Sequence, residues 1–293
     1  MQNWIENQED LAALARKQLF FVGGAPRSGT TWLQQMLDAH PEICCRGEGL
    51  FHKHLAESLE ATMAIRRDAL EAKNLTLFSH TGGYPLPAAE DTEQLVGTAI
   101  LLALRRQCAD GQYRAIGEKT PENVFFFPRL KQLFPRAKSI AIARDPRDLL
   151  TSAWHFFHKA VPGENETEAK FGFIRLAMPS LDQGARAILA LAEQHPADCM
   201  TITYENLLRT PELIASNMFR FLSVSDASDI VADCVARTRF EALTGGRQAG
   251  SEQRGAFFRK GVVGDWTSTL TPDMNALVLS ELGWMFPRFG WKP

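Results

Sequence analysis

The sequence predicts an α/β protein with a P-loop-type central parallel sheet flanked by helices, and three features carry that expectation. Short apolar runs alternate with longer amphipathic stretches, the first run leads through a glycine-containing loop into a helical pattern, and no internal repeat or low-complexity segment interrupts the alternation. The bulk properties agree. The 293 residues hold 32 Lys and Arg against 34 Asp and Glu, a net charge of −2, with 45% hydrophobic and 23% charged residues. Such a balance excludes disordered, collagenous and disulfide-stapled classes, and it argues against a nucleic-acid or membrane-surface partner. The length admits one large domain or two smaller ones, and either buries a core without metals or disulfides. No apolar run nears the roughly 18 residues of a membrane helix, and the opening MQNWIENQED has acids and amides where a signal peptide needs a basic head. The five cysteines, Cys44, Cys45, Cys108, Cys199 and Cys234, form no C-x-x-C pair, which suits reduced thiols, a cytoplasmic location and no zinc site.

Four short runs read as buried strands: Leu19 to Gly23, Arg114 to Glu118, Lys138 to Ala143 and Cys199 to Thr203. Between and beyond them, His54 to Lys73, Thr92 to Ala109, Ser180 to Gln194 and Pro272 to Phe286 space their apolar residues at three and four and read as helices. A parallel sheet covered on both faces binds ligands beyond the carboxyl ends of its strands, so chemistry is expected in the loops that follow the strands. Pro162 to Lys170 reads as an acidic surface loop, and Thr244 to Gly255, TGGRQAGSEQRG, as a mobile lid.

The first strand, LFFVG, runs into Gly24-Ala25-Pro26-Arg27-Ser28-Gly29-Thr30-Thr31-Trp32-Leu33, and a helix is expected through Asp38. A glycine turn between strand and helix aims backbone N–H groups at one point, and the positive end of the helix dipole adds to the attraction for an anion. The loop is expected to hold a phosphate, with Arg27 as the nearest cation. A nucleoside-triphosphate loop places lysine directly after its second glycine, and Thr30 stands there instead. That disfavours a kinase and leaves another phosphate-bearing nucleotide open.

The third strand ends in Arg144-Asp145-Pro146-Arg147-Asp148-Leu149-Leu150-Thr151-Ser152. Asp145 and Pro146 form an N-cap and first-turn pair; Arg144 at the strand end and Ser152 two turns into the helix are candidates for a second phosphate. Arg147 and Asp148 read as a surface pair. Near the C-terminus, FFRKGVVGDW sets Arg259 and Lys260 beside Gly261, two cations and an approachable backbone N–H that can clamp a dianion. Alone, such a triplet is commonly a solvated basic turn. Trp32 and Trp266 read as packing residues, His155 and His158 as partly exposed side chains, and Glu164, Glu166 and Glu168 lack a metal-binding spacing.

Taken together, PRSGTTWL, the Arg144 and Ser152 pair and FRKGVVGDW resemble the sulfotransferases that use 3′-phosphoadenosine 5′-phosphosulfate (PAPS), with the motifs in that family's order between Phe20 and Trp284. The resemblance implies one sulfotransferase domain over residues 1–293, with PAPS as co-substrate, adenosine 3′,5′-bisphosphate as product and no metal. It implies that Arg27, Ser28, Gly29, Thr30 and Thr31 hold the 5′-phosphosulfate, and that Arg144, Ser152, Arg259, Lys260 and Gly261 hold the 3′-phosphate. Tyr204 in TITYENL and Thr238 and Phe240 in RTRF match adenine contacts; from the residues alone, Tyr204 and Phe240 would be core aromatics.

Relatives of this kind that act on small phenols carry Lys-Thr-His before the 3′-phosphate strand, the histidine serving as base. Here Lys119-Thr120-Pro121 puts proline in that place. The segment Asp38 to Glu48 instead resembles the tyrosylprotein and heparan-type branch, whose base is a glutamate shortly after the first helix, and points to Glu48, with His52 and His54 competing. The expected reaction is in-line transfer of SO₃ to a hydroxyl or amine of a small-molecule or conjugate acceptor, with Arg27 and Lys119 stabilising the developing charge. A nucleotide kinase and a non-catalytic PAPS-binding protein are the alternatives. Helical segments from about residue 52 to 110 are expected to help wall the acceptor pocket. The Lys-Thr-Val-Glu dimer motif of many cytosolic members is missing, so no oligomeric state is inherited.

Overall fold

The computed structural model describes residues 3–109, 111–159, 161–253 and 255–293. The first half runs α1 (Trp4–Ala15), β1 (Gln18–Gly24), α2 (Thr30–Asp38), β2 (Ile43–Cys45), a π-helical segment (Phe51–Ala56), α3 (Glu57–Leu77), α4 (Ala89–Gln107), β3 (Ala115–Lys119), α5 (Asn123–Leu133) and β4 (Lys138–Ala143). The second half runs α6 (Pro146–Phe157), α7 (Glu166–Gln194), β5 (Cys199–Thr203), α8 (Tyr204–Arg209), α9 (Pro211–Phe221), α10 (Ser228–Arg237) and α11 (Phe240–Leu243). A 3₁₀ turn (Asp265–Ser268), α12 (Pro272–Leu282) and α13 (Met285–Phe289) follow.

All five strands pair in parallel, in the order β2-β3-β1-β4-β5. β1 therefore lies between β3 and β4, with Val22 beside Lys119 on one side and Gly24 beside Ile142 on the other. Three carboxyl ends meet where the loop after β1 begins, which is the switch point at which open α/β sheets bind ligands. Alternation along β1 feeds both layers. Phe20 and Val22 join Leu33 and Leu37 of α2 and Met218 and Phe219 of α9. Phe21 turns the other way, toward Ile100 of α4, Phe127 and Leu130 of α5 and Ile188 of α7. Among the described residues, no helix is long and apolar enough to cross a membrane.

The four expected strands are present with ends shifted by a residue or less, and β2 is an addition: three residues on the sheet edge carry too little periodicity to read. The helix expected from His54 starts earlier, as a π-helical turn after Leu50. The acidic loop expected over Pro162 to Lys170 gives way at Glu166 to α7. Asn165 accepts hydrogen bonds from Thr167 N (3.2 Å) and Glu168 N (3.4 Å), and Glu166 and Glu168 sit in a first turn that favours negative charge. The last expected helix is two, α12 and α13.

The surface reading of Arg147 and Asp148 is overturned, because both are buried where the C-terminal loops close over α6. Arg147 donates to both carboxylate oxygens of Asp145 (3.0 and 2.7 Å) and to Lys292 O (2.6 Å), its guanidinium 4.1 Å from the Trp266 ring centroid and 4.6 Å from that of Phe286. Asp148 accepts from Gly264 N at 2.7 Å and Trp266 N at 3.0 Å, pinning the third motif to α6. Burial pushes its carboxyl up, against the pull of Arg144 and of those two N–H groups.

Close approach of β1 to β4 explains Gly24. A Cβ there would stand 2.4 Å from Ile142 O, a backbone atom that cannot swing aside, and 2.8 Å from Ser28 Oγ. Gly24→Ala is expected to cost about 1–3 kcal/mol through overpacking. Equilibrium urea unfolding should show a lower midpoint with an unchanged m-value.

Candidate active site

The loop after β1 crosses the carboxyl end of the sheet, and α2 begins at Thr30 with its first N–H groups free of intrahelical partners. Gly29, Thr30 and Thr31 line a cavity. Arg144 and Ser152 enter it from β4 and α6, and Arg259, Lys260 and Gly261 from the loop before the 3₁₀ turn. Tyr204, Thr238 and Phe240 form another wall. Of the residues expected to bind cofactor, Ser28 alone does not line the cavity; it lies buried in the loop.

Three guanidinium groups converge here. Arg27 donates from Nη2 to Phe257 O at 2.5 Å and lies 4.2 Å from the Phe156 and 4.8 Å from the Phe257 ring centroid. Arg144 donates to Arg27 O (3.3 Å) and Val262 O (3.1 Å) and stands 4.2 Å over the Tyr204 ring. Burial, helped by the charges of Arg144 and Arg259, pushes the Arg27 guanidinium down to about 10. Among the described residues, Nε of Arg27, Arg144 and Arg259 and Oγ of Ser28 are buried without a hydrogen-bond partner. Gathered like charges and unsatisfied buried donors are both unfavourable, and a phosphate-type anion would relieve both.

The aromatic wall is held by its own contacts. Tyr204 meets the edge of Trp32 at 5.7 Å between centroids, Trp32 Nε1 donates to Thr238 O at 2.8 Å, and Thr238 Oγ1 to Cys234 O at 2.8 Å. Trp32, read from the sequence as packing, also lines the cavity, with Phe257 and Phe258. Trp266 does pack, under Arg147. His158 stacks on Trp154 and pairs with Glu164 at 3.0 Å.

Lys119, at the end of β3, is buried and joins two parts of the site: it donates to Thr31 Oγ1 at 3.2 Å and pairs with Glu48. The Glu48 side chain is 42% exposed, open to an incoming group. Its competitors are placed differently. His52 stacks on Phe126 and lies 3.6 Å from Glu57, and His54 is exposed.

A second cavity lies against Gly24, Ala25 and Pro26 and is walled by α5, α6 and α7, with Lys53 and Glu122 as its charged members besides Arg144. Among the described residues between 52 and 110, Lys53 lines the second cavity and none lines the first. Thr244 to Gly255 folds back on the third motif: Arg247 donates to Ser251 O (2.9 Å), Arg259 O (2.5 Å) and Phe258 O, and Gly250 N to Lys260 O (2.8 Å). Arg254 in this stretch lies outside the described residues. Among the described residues no group of three or more His, Cys, Asp or Glu is placed to hold a metal ion.

An α/β sheet with an anion-binding loop at its switch point defines a nucleotide-binding class of protein. The chain belongs to the sulfotransferase family, whose profile matches residues 20–228. Protein-tyrosine sulfotransferase 1 of Danio rerio is 29% identical over 213 residues, 70% of this chain and 53% of the relative. Sulfotransferase 1A1 of Bos taurus is 26% identical over 269 residues, 86% of this chain and 78% of the relative. The match spans between 40% and 66% of the length of the curated protein-tyrosine relatives, about half in most of them. Mouse sulfotransferase SULT7A1, solved as a complex with PAP, superposes with a TM-score of 0.56 at 20% identity, covering 93% of this chain and 88% of that one; the likeness is one of fold.

Asp265 was missed in the sequence although it stands in the quoted GDW, since only the fold turns it back onto Arg259 and Lys260. Burial alone would raise its carboxyl, but hydrogen bonds from Arg259 and Lys260, with their charges, hold it below the ordinary value. A carboxyl depressed by folding contributes stability above its unfolded value, near 3.9, and loses it as pH falls through the lower folded value. The stability difference between wild type and Asp265→Asn is therefore expected to stay level near neutral pH and to shrink below about pH 4. Urea unfolding across a pH series measures it.

Proposed function

We propose that this chain transfers a sulfuryl group from PAPS to an acceptor hydroxyl or amine, acting as one domain over residues 1–293. The observation that carries the reading is the gathering of Arg27, Arg144 and Arg259 around one aromatic-walled cavity, with four buried donors lacking partners. A nucleotide phosphorylated at both ends of its sugar answers that arrangement. Arg27, Ser28, Gly29, Thr30 and Thr31 are assigned to the 5′-phosphosulfate. Arg144, Ser152, Arg259, Lys260 and Gly261 are assigned to the 3′-phosphate, and Tyr204, Thr238 and Phe240 to adenine. The PAP bound to the mouse relative supports the reading. Thr30 in the place of a lysine tells against the kinase alternative.

When bound, PAPS would supply an activated sulfuryl group: an S–O bond would form to an acceptor hydroxyl, or an S–N bond to an amine, as the sulfur–oxygen bond to the 5′-phosphate breaks, leaving adenosine 3′,5′-bisphosphate. Glu48 takes the proton the acceptor gives up. Arg27 and Lys119 counter the negative charge that grows on the sulfuryl and bridging oxygens, and the burial of Lys119 strengthens that effect by excluding water. The protein-tyrosine relatives support a phenolic hydroxyl, that of a tyrosine in a protein, as acceptor. The five cysteines, which include no C-x-x-C pair and four of which are buried, support a reducing, cytoplasmic setting.

Arg144→Ala is expected to raise the dissociation constant of the bisphosphate at least about tenfold, since a charge-assisted contact contributes about 1.5–3 kcal/mol. Calorimetric titration should also find adenosine 5′-phosphate much weaker than the 3′,5′-bisphosphate in wild type; equal affinities would remove the 3′-phosphate assignment. Glu48→Gln should slow turnover by about 10²–10⁴ while keeping bisphosphate affinity, because loss of a general base costs that much. A product assay with labelled PAPS reads the rate. Full activity of Glu48→Gln, with loss in His52→Ala or His54→Ala, would transfer the base role to a histidine.

A further inference from the structure

Glu118 is buried, 2% exposed, at the end of β3, and no step assigned above uses it. Its Oε1 accepts from Gly49 N at 2.7 Å and from Thr120 Oγ1; its Oε2 accepts from Asn123 Nδ2 at 2.8 Å. Asn123 Nδ2 also donates to Val22 O at 3.0 Å, which ties the carboxylate to β1 as well. Successive strand side chains point to opposite faces, so Glu118 and Lys119 leave β3 on opposite sides. The loop after β2 straddles the strand end between them. Three consecutive positions of β3 and its exit hold three consecutive positions of that loop: Lys119 holds Glu48, Glu118 holds Gly49, and Thr120 Oγ1 accepts from Leu50 N at 3.2 Å.

The loop needs such a hold. Gly47 and Leu50 on either side of the pair have φ of 64° and 52°, and Leu50 has a side chain that makes this left-handed backbone costly. Gly49 is pressed close: a Cβ there would lie 2.6 Å from the Phe51 ring and 3.1 Å from Glu118 Cγ. A carboxylate is the side chain suited to the position, since it meets three donors with acceptors only. An amide would turn an NH₂ toward one of them.

We infer that Glu118 is a positioning residue, which grips the backbone of Gly49 and so aims the neighbouring Glu48 at Lys119 and the transfer site. The inference rests on the reading of Glu48 as general base. Glu118 touches no substrate in this scheme; it acts through the loop. A misplacement of about 1 Å at a reacting group costs up to roughly 100-fold in rate, so the effect falls on kcat and spares the nucleotide site.

The test compares Glu118→Gln and Gly49→Ala, each alone and combined with Glu48→Gln. Gly49→Ala disturbs the same contact from the exposed loop, so it carries the test if Glu118→Gln does not fold. Each single variant should lower kcat roughly tenfold to 100-fold, with the KM for PAPS and the dissociation constant of adenosine 3′,5′-bisphosphate within about twofold of wild type. Combined with Glu48→Gln, neither should lower kcat further, because the aimed group is already gone. A further drop of the same size in the double variants, or an unchanged kcat in the folded single variants, overturns the positioning role while leaving Glu48 as base. Full activity of Glu48→Gln by itself overturns the base reading and this inference with it.

Discussion

Three guanidinium groups held against one another beside a helix start are the constraint on which the other features of this protein depend. Arg27, Arg144 and Arg259 come from segments far apart in the chain, and their repulsion, together with the burial of unsatisfied Nε atoms, would drive them apart if nothing opposed it. What opposes it is specific. Arg144 is tied to the carbonyls of Arg27 and Val262, Arg27 is laid against the rings of Phe156 and Phe257, and Arg259 shares Asp265 with Lys260. The cluster is thus held in place by contacts within the protein itself.

The sheet order makes that convergence possible. With β1 between β3 and β4, the loop that carries Arg27 emerges between the strand that ends in Lys119 and the strand that leads to Arg144. Cations on three neighbouring chain exits therefore lie at the same end of the sheet. Gly24 marks the tightest point of this junction, where a backbone oxygen of β4 leaves no space for a side chain.

Buried acids do the connecting. Asp148 fixes the third motif to α6 through two backbone N–H groups, Asp265 draws Arg259 and Lys260 together, and Glu118 joins β3 to the loop of Glu48. Each has both carboxylate oxygens accepting from a donor, which is what makes burial of a carboxylate tolerable. An overall charge near zero conceals this local order: positive groups face the cavity and acids lie behind or beside them.

The sequence by itself determined the parallel α/β plan, the loop after β1 and the candidate phosphate contacts, because each is written in contiguous residues whose spacing has a physical meaning. An apolar run, a glycine turn and a helix start are local properties, and Arg27, Arg144, Arg259 and Lys260 were visible as cations in such places. The three-residue strand β2 was not visible, nor was the start of α7 at Glu166, where an acidic stretch hid an N-cap. The inward turn of Arg147 and Asp148 was misread, since charge pairs on a helix are usually solvated and only the C-terminal loops cover these. Tertiary structure alone decided that Trp32 lines the cavity and that Asp265 folds back on its own motif. It alone brought Lys119 between Thr31 and Glu48 and set Glu118 against Gly49. Those contacts join residues with no fixed separation in the chain, and burial and hydrogen bonding, which choose such partners, exist only once the strands have paired.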